Sequence, residues 1–166
     1  NYARELLELF TLGHAPPAAD GDHGGHASSG PPYTEADVVA AARALTGWRV
    51  DPATGDGVFR PGRHDPGTKT LLGPTGRLGL DEVVALTTGH PACAPHVVAR
   101  LWSRLGRPAT ASDPVVADLA APFAEDLDIA ALLRRLFLHP AFRDAATRTA
   151  LVKTPVEWMV GSLRAL

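Results

Sequence analysis

YTEADVVAAARALTGWRV, residues 33–50, is the stretch whose reading decides the fold. Thr34 followed by Asp37 is an N-cap with an acid at the third helical position, a variant of the capping box that normally ends in Glu or Gln. Val38, Ala42 and Leu45 then recur at helical spacing and predict one buried face. Gly47 stops the helix, and Trp48-Arg49-Val50 leaves it as an extended segment.

Upstream, residues 1–12 read as a helix with Ala3, Leu6, Leu7 and Phe10 on one stripe and Leu9 widening it. Arg4, Glu5 and Glu8 form the polar wedge, with Arg4 and Glu8 one turn apart. A helix this apolar is expected to be buried, which makes the wedge an internal polar cluster. Residues 14–32, HAPPAADGDHGGHASSGPP, have no periodicity and read as a flexible insertion. Its Asp20, Asp22, His23 and His26 could ligate a metal by type. No regular element fixes their geometry, so no metal site is assigned to them.

Downstream, Trp48 to Asp51 and Val58 to Arg60 bracket PATGDG as a short hairpin. Asp65-Pro66-Gly67 fits a type II turn, after which Thr68 to Leu72 pairs back as a strand. This β-hairpin insert spans about residues 48–73. Beyond Leu80 the pattern is helical to the end. Asp81 is expected to cap the first of these helices and Asp113-Pro114 to open another. Ile129, Leu132, Leu133, Leu136 and Phe137 give the cleanest amphipathic face, and Thr154 with Glu157 is a full capping box. His90-Pro91-Ala92 and His139-Pro140-Ala141 echo one another, each His expected to end a helix and each Pro to begin the next. The whole is expected to be one mainly α domain over residues 1–166. It should be a bundle-like array of seven or eight helices, with Trp48, Trp102 and Trp158 buried beside apolar stripes.

The balance of charge bounds the partners. A net charge of −2 on 166 residues offers no electrostatic case for nucleic acid or an anionic membrane. No apolar run reaches the roughly 18 residues of a membrane span. Cys93 is the single cysteine. Lysine is scarce, Lys69 and Lys153 standing against fourteen arginines. A lysine kept against such a bias points to a need for a compact ammonium rather than a planar fork. Asn1 opens inside one helical pattern and Leu166 closes inside another. The chain is thus expected to be a fragment, packing against the remainder of its own protein, with any signal peptide lying upstream.

NYARELLELFTLG (1–13), YTEADVVAAARALTGW (33–48), HDPGTKTLLG (64–73), the two HPA triplets and KTPVEW (153–158) occur in this order over nearly the whole chain. In these motifs the chain resembles the bacterial family called domain of unknown function 1800. The resemblance implies a central to C-terminal position within a longer helical protein. It implies export to the periplasm or cell exterior, and a co-encoded secreted partner similar to sulfatases and alkaline phosphatases. It implies no activity and no cofactor. Residues 14–32 are an insertion relative to the family pattern.

Three functional readings follow. The first is a non-catalytic interaction or scaffold domain of an exported protein. The second is a hydrolase-type enzyme using the His64 to Lys69 region. There His64 would be a proton carrier or ligand and Lys69 an anion contact, with Glu5 and Arg43 orienting them. The third is a metal- or ligand-binding module on the histidine-rich loop. Whether Glu5, Arg43, His64 and Lys69 converge on one cleft discriminates the first two. Asp65 has a local structural explanation, since an Asp opening a turn commonly bonds its own backbone. The His64-Asp65 pair lacks the further His and Asp ligands of a phosphohydrolase metal site. No phosphate-binding glycine loop, nucleophile elbow or paired-cysteine motif is present.

Overall fold

The computed structural model describes residues 2–14 and 32–165. Among them are eight α-helices and two small antiparallel strand pairs, a mainly α protein as its periodicity predicts. The chain forms two compact units, residues 1–94 and 95–166.

In the first unit, α1 (Tyr2–Glu5) widens into a π-helical turn over Leu6–Thr11. The Leu12 N–H reaches back five residues to the Leu7 carbonyl at 2.8 Å. This corrects the regular helix expected over residues 1–12. The wider turn puts Ala3, Leu7 and Thr11 on the buried side at four-residue spacing and rotates Phe10 out to 64% exposure. Arg4 turns to Glu35 at 2.6 Å rather than to Glu8, and the pair is solvated. The wedge is therefore not an internal cluster.

Helix α2 (Glu35–Ala44) begins as expected. Thr34 Oγ1 accepts the Asp37 N–H, and Asp37 Oδ2 accepts the Thr34 N–H at 2.7 Å. Aspartate in place of glutamate has a reason: Oδ1 accepts the N–H of Leu72 at 2.7 Å, tying a distant turn to the start of α2. Burial raises the Asp37 pKa, but the bonds from Thr34 and Leu72 outweigh it and hold the carboxyl below its ordinary value.

After α2, Gly47 takes φ +91°, and its carbonyl receives the Arg60 N–H at 2.8 Å. A Cβ there would lie 2.8 Å from the Phe59 ring and 3.1 Å from the Arg60 carbonyl. Gly47→Ala is expected to cost about 2 kcal/mol, from backbone strain plus that clash, in urea unfolding. A loss under ~0.5 kcal/mol would show that the hairpin can shift at no cost.

Strands β1 (Trp48–Val50) and β2 (Gly57–Phe59) pair as predicted, Trp48 opposite Phe59. Strand β3 (Lys69–Thr70) pairs with β4 (Thr75–Gly76), a second hairpin that the sequence pattern did not separate from the first. Helix α3 (Leu80–Thr88) is capped at Gly79 by Glu82, whose Oε2 accepts the Gly79 N–H at 2.8 Å. Asp81 sits in the first turn and is not the cap. Leu7, Ala41, Ala44, Leu71, Leu78 and Val83 form the core of this unit.

In the second unit, α4 (Cys93–Leu105, entering from the first), α5 (Pro114–Asp126) and α6 (Ile129–Leu138) bury Val98, Trp102, Val116, Leu119, Phe123, Leu132 and Leu136. Asp113 caps α5 with proline at the first helical position, as read from the sequence. The stripe of α6 is narrower than expected, since Ile129 and Phe137 remain exposed. The HPA echo has a common geometry. His90 Nδ1 accepts the Ala92 N–H at 3.1 Å and His139 Nδ1 accepts the Ala141 N–H at 3.2 Å. Each histidine caps the turn that its own proline begins.

Short helix α7 (Ala145–Arg148) and α8 (Pro155–Ala165) complete the unit. Of the three tryptophans only Trp102 is buried, at 0% exposure; Trp48 is 44% and Trp158 66% exposed. The expectation for the latter two is corrected. Helix α8 buries no residue, and Trp48 meets Phe59 across the two-stranded β1–β2 ribbon without being covered by it.

Candidate functional site

Thr46, at the frayed end of α2, organises the region around HDPGTK. Its hydroxyl donates to the Arg43 carbonyl at 2.6 Å and accepts the Asp65 N–H at 2.8 Å. Its carbonyl lies 3.0 Å from His64 Nδ1. A carbonyl can only accept, so His64 Nδ1 is the donor of this bond. The His64 ring packs on Phe59, centroids 5.6 Å apart.

Asp65 then receives Arg43, with Nε to Oδ2 at 2.7 Å. Asp65 Oδ1 also accepts the Gly67 N–H at 2.8 Å. Gly67 is not among the positive-φ glycines, so the expected type II turn is replaced by a side-chain-closed Asx turn. The Arg43 hydrogen bond, followed by that of Gly67, holds the Asp65 carboxyl at about 2 against an ordinary 3.8.

A group depressed in the fold stabilises fully above its unfolded value and loses that contribution as pH falls toward its folded one. Stability is therefore expected to fall between pH 3.8 and about 2, with a shallower fall in Asp65→Asn. Urea midpoints across that range measure it. Parallel profiles for the two proteins would refute the role given to Asp65. Asp37, Glu82, Asp126 and Glu157 are also held low, so part of the slope persists in the variant.

Lys69 is 2% exposed. Its ammonium donates to the carbonyls of Asp65 at 2.6 Å, Gly67 at 3.0 Å and Leu78 at 3.2 Å. Three donors meet three acceptors. The need for an ammonium inferred from its retention among arginines is thus met by backbone: a compact point of charge closes the loop on itself.

Of the four residues proposed from the sequence, Arg43, His64 and Lys69 come together around Asp65 and Thr46. Glu5 makes no hydrogen bond or ion pair with them among the described residues, and Glu8 faces His14 at 3.6 Å. Asp20, Asp22, His23 and His26 lie outside the described residues. No three His, Cys, Asp or Glu side chains gather as a metal site among the described residues. Sequence reasoning missed Thr46, whose only signal is a hydroxyl placed just before the helix-ending glycine. It also missed the aromatic cleft beside His64, walled by Trp48 and Phe59 and bordered by Gly79, Asp81 and Glu82.

The order of motifs that runs through this site is matched along the chain's full length, residues 1–166, by the family model described as a protein of unknown function (DUF1800). The chain belongs to that family. No curated protein and no solved structure matches it. Within this DUF1800 chain, three of the motifs meet in one place. YTEADVVAAARALTGW supplies Arg43, Thr46 and Asp37, and HDPGTKTLLG supplies the loop that they clamp. NYARELLELFTLG packs through α1 on α2. Among the described residues no helix is long and apolar enough to cross a membrane.

Proposed function

We propose that this DUF1800 chain is a non-catalytic interaction domain of an exported protein, and that α8 is its contact surface. One observation carries the reading. Val156, Met159, Val160 and Leu163 stand at i, i+3, i+4 and i+7 of α8, yet all are 42–69% exposed. Such a stripe is ordinarily the buried face of a helix, and a contiguous uncovered one is a binding surface. The clamp around Lys69 supports the same reading, because its ammonium and the Arg43–Asp65 pair are engaged within the fold. The proposed occupant is the co-encoded secreted protein resembling sulfatases and alkaline phosphatases.

The test is binding of the purified partner to Val160→Asp/Leu163→Asp in the native protein. Since α8 buries nothing, the variant is expected to keep its melting temperature and lose at least about 100-fold in affinity, as for central interface residues. Unchanged affinity would reject α8 as the contact. A lower melting temperature would reassign the stripe to the remainder of its own chain.

The alternative, a hydrolase-type enzyme using the His64–Lys69 region, has one observation in its favour. His64 Nδ1–H is anchored on a carbonyl, and that bond does not engage Nε2, the ring nitrogen that would accept a proton in such a reaction. Hydrolysis that His64→Ala abolishes without loss of stability would favour it.

A further inference from the structure

The cleft beside His64 has a composition that the clamp does not explain. Trp48 and Phe59 meet across the first hairpin with their rings tilted by 45°, centroids 5.3 Å apart, and stay 44% and 40% exposed. His64 continues the aromatic wall. Opposite them lie the first residues of α3, bringing Asp81 and Glu82 to a cavity of about 170 Å3. Glu82 uses one oxygen to cap Gly79, and that bond holds its carboxyl below the ordinary value. Asp81 is exposed and has no side-chain partner among the described residues. No lysine or arginine is among the described residues lining the cavity. Trp48 and Leu80 also line a second, larger hollow of about 520 Å3, walled by Tyr2, Ala42 and Leu45 and bearing no charged side chain.

We propose that the cleft of Trp48, Phe59 and His64, rimmed by Asp81 and Glu82, binds an alkylammonium group whose aliphatic stem crosses Trp48 into the apolar hollow. Each part has a physical reason. The faces of tryptophan and phenylalanine carry negative π density, which attracts a cation most strongly where water is partly excluded. The carboxylates supply the balancing charge at the rim. A carboxylate ligand would meet like charge there, and the capping N–H of α3 that could have received it is already taken by Glu82. A neutral sugar would find acceptors at the rim but little to donate to it. The apolar hollow has no use for a bare cation and fits a chain of methylenes. This inference is independent of α8 and concerns the first unit alone.

The experiment is a two-dimensional nitrogen–proton titration of the labelled protein. It follows the indole N–H signals, with Trp48 identified by Trp48→Phe and the buried Trp102 as the fold control. Choline is expected to move the Trp48 signal saturably. Hexyltrimethylammonium should bind more tightly because its stem is buried. The neutral isostere 3,3-dimethylbutan-1-ol is expected to bind about tenfold more weakly than choline or worse, the range of a partly desolvated cation–π contact. Asp81→Asn should weaken choline by several fold and leave Trp102 unmoved. An Nα-acetyl-lysine amide arm decides the source. Tighter binding than choline assigns a peptide lysine, and weaker binding assigns a free quaternary ammonium. Equal affinity for choline and its isostere would overturn the proposal, and so would shifts that never saturate.

Discussion

Replacing Lys69 by methionine is expected to lower stability by about 3–5 kcal/mol, the range for breaking a buried charged hydrogen-bond set by removing one partner. Methionine has a similar length and fills the same space, so the loss isolates the ammonium from the packing. Three carbonyls, those of Asp65, Gly67 and Leu78, would face an apolar group in place of their donor. The Asp65 carboxylate would also lose a neighbouring positive charge. Lys69→Arg should recover only part of the loss. A planar fork holds its donors in one plane, whereas the three carbonyls converge on a single point. Equilibrium urea unfolding of the three proteins measures the effect. A loss below ~1 kcal/mol for methionine would mean that the bonds from Arg43, Thr46 and Asp37 hold the loop without the ammonium. Retained stability with lost binding or activity would make Lys69 a functional contact instead.

Trp102→Ala is expected to destabilise by a similar ~3–5 kcal/mol, the usual result of emptying a large buried aromatic site. Trp102 is fully buried in the second unit. It meets His139 and Phe142 edge to face at centroid distances of 6.0 and 6.2 Å. Gly106 packs on it so closely that a Cβ there would lie 3.2 Å from the ring. Trp102→Phe should cost much less than alanine. It keeps most of the apolar area and removes an indole N–H that has no acceptor among the described residues. Trp48→Ala and Trp158→Ala, at exposed positions, should each change stability by under ~1 kcal/mol. Thermal or urea unfolding of the four variants checks the ranking. A loss at Trp158 comparable to that at Trp102 would show that α8 packs on the fold after all.

The separation of these tryptophans shows where sequence reasoning stops. Each stands beside apolar residues at regular spacing, and spacing reports which face a side chain shares. It does not report whether another element covers that face. Helix α8 carries an apolar stripe as α6 does, yet it is α6 that packs on a neighbour, α5, and buries Leu132 and Leu136.

Local chemistry, by contrast, was legible residue by residue. Thr34 with Asp37, Asp113-Pro114 and Thr154 with Glu157 each close a hydrogen bond within three residues, so the chain needs nothing distant to form them. The family could be read for the same reason, since its motifs are these local caps and turns. The candidate site was half legible. Lysine kept among arginines marked Lys69, and the motif marked His64 and Asp65. That Arg43 would serve Asp65, that Thr46 would hold both, and that Glu5 would stand apart depend on bonds spanning about twenty residues or more. Which of several equally polar side chains fills a long-range role is settled by the path of the backbone between them. By itself the sequence determined the mainly α class, the caps at Thr34, Asp113 and Thr154, and the family. The tertiary structure decided which apolar faces are covered and that the Lys69 ammonium closes on three carbonyls, because burial and long-range pairing belong to the packed whole and not to any segment of it.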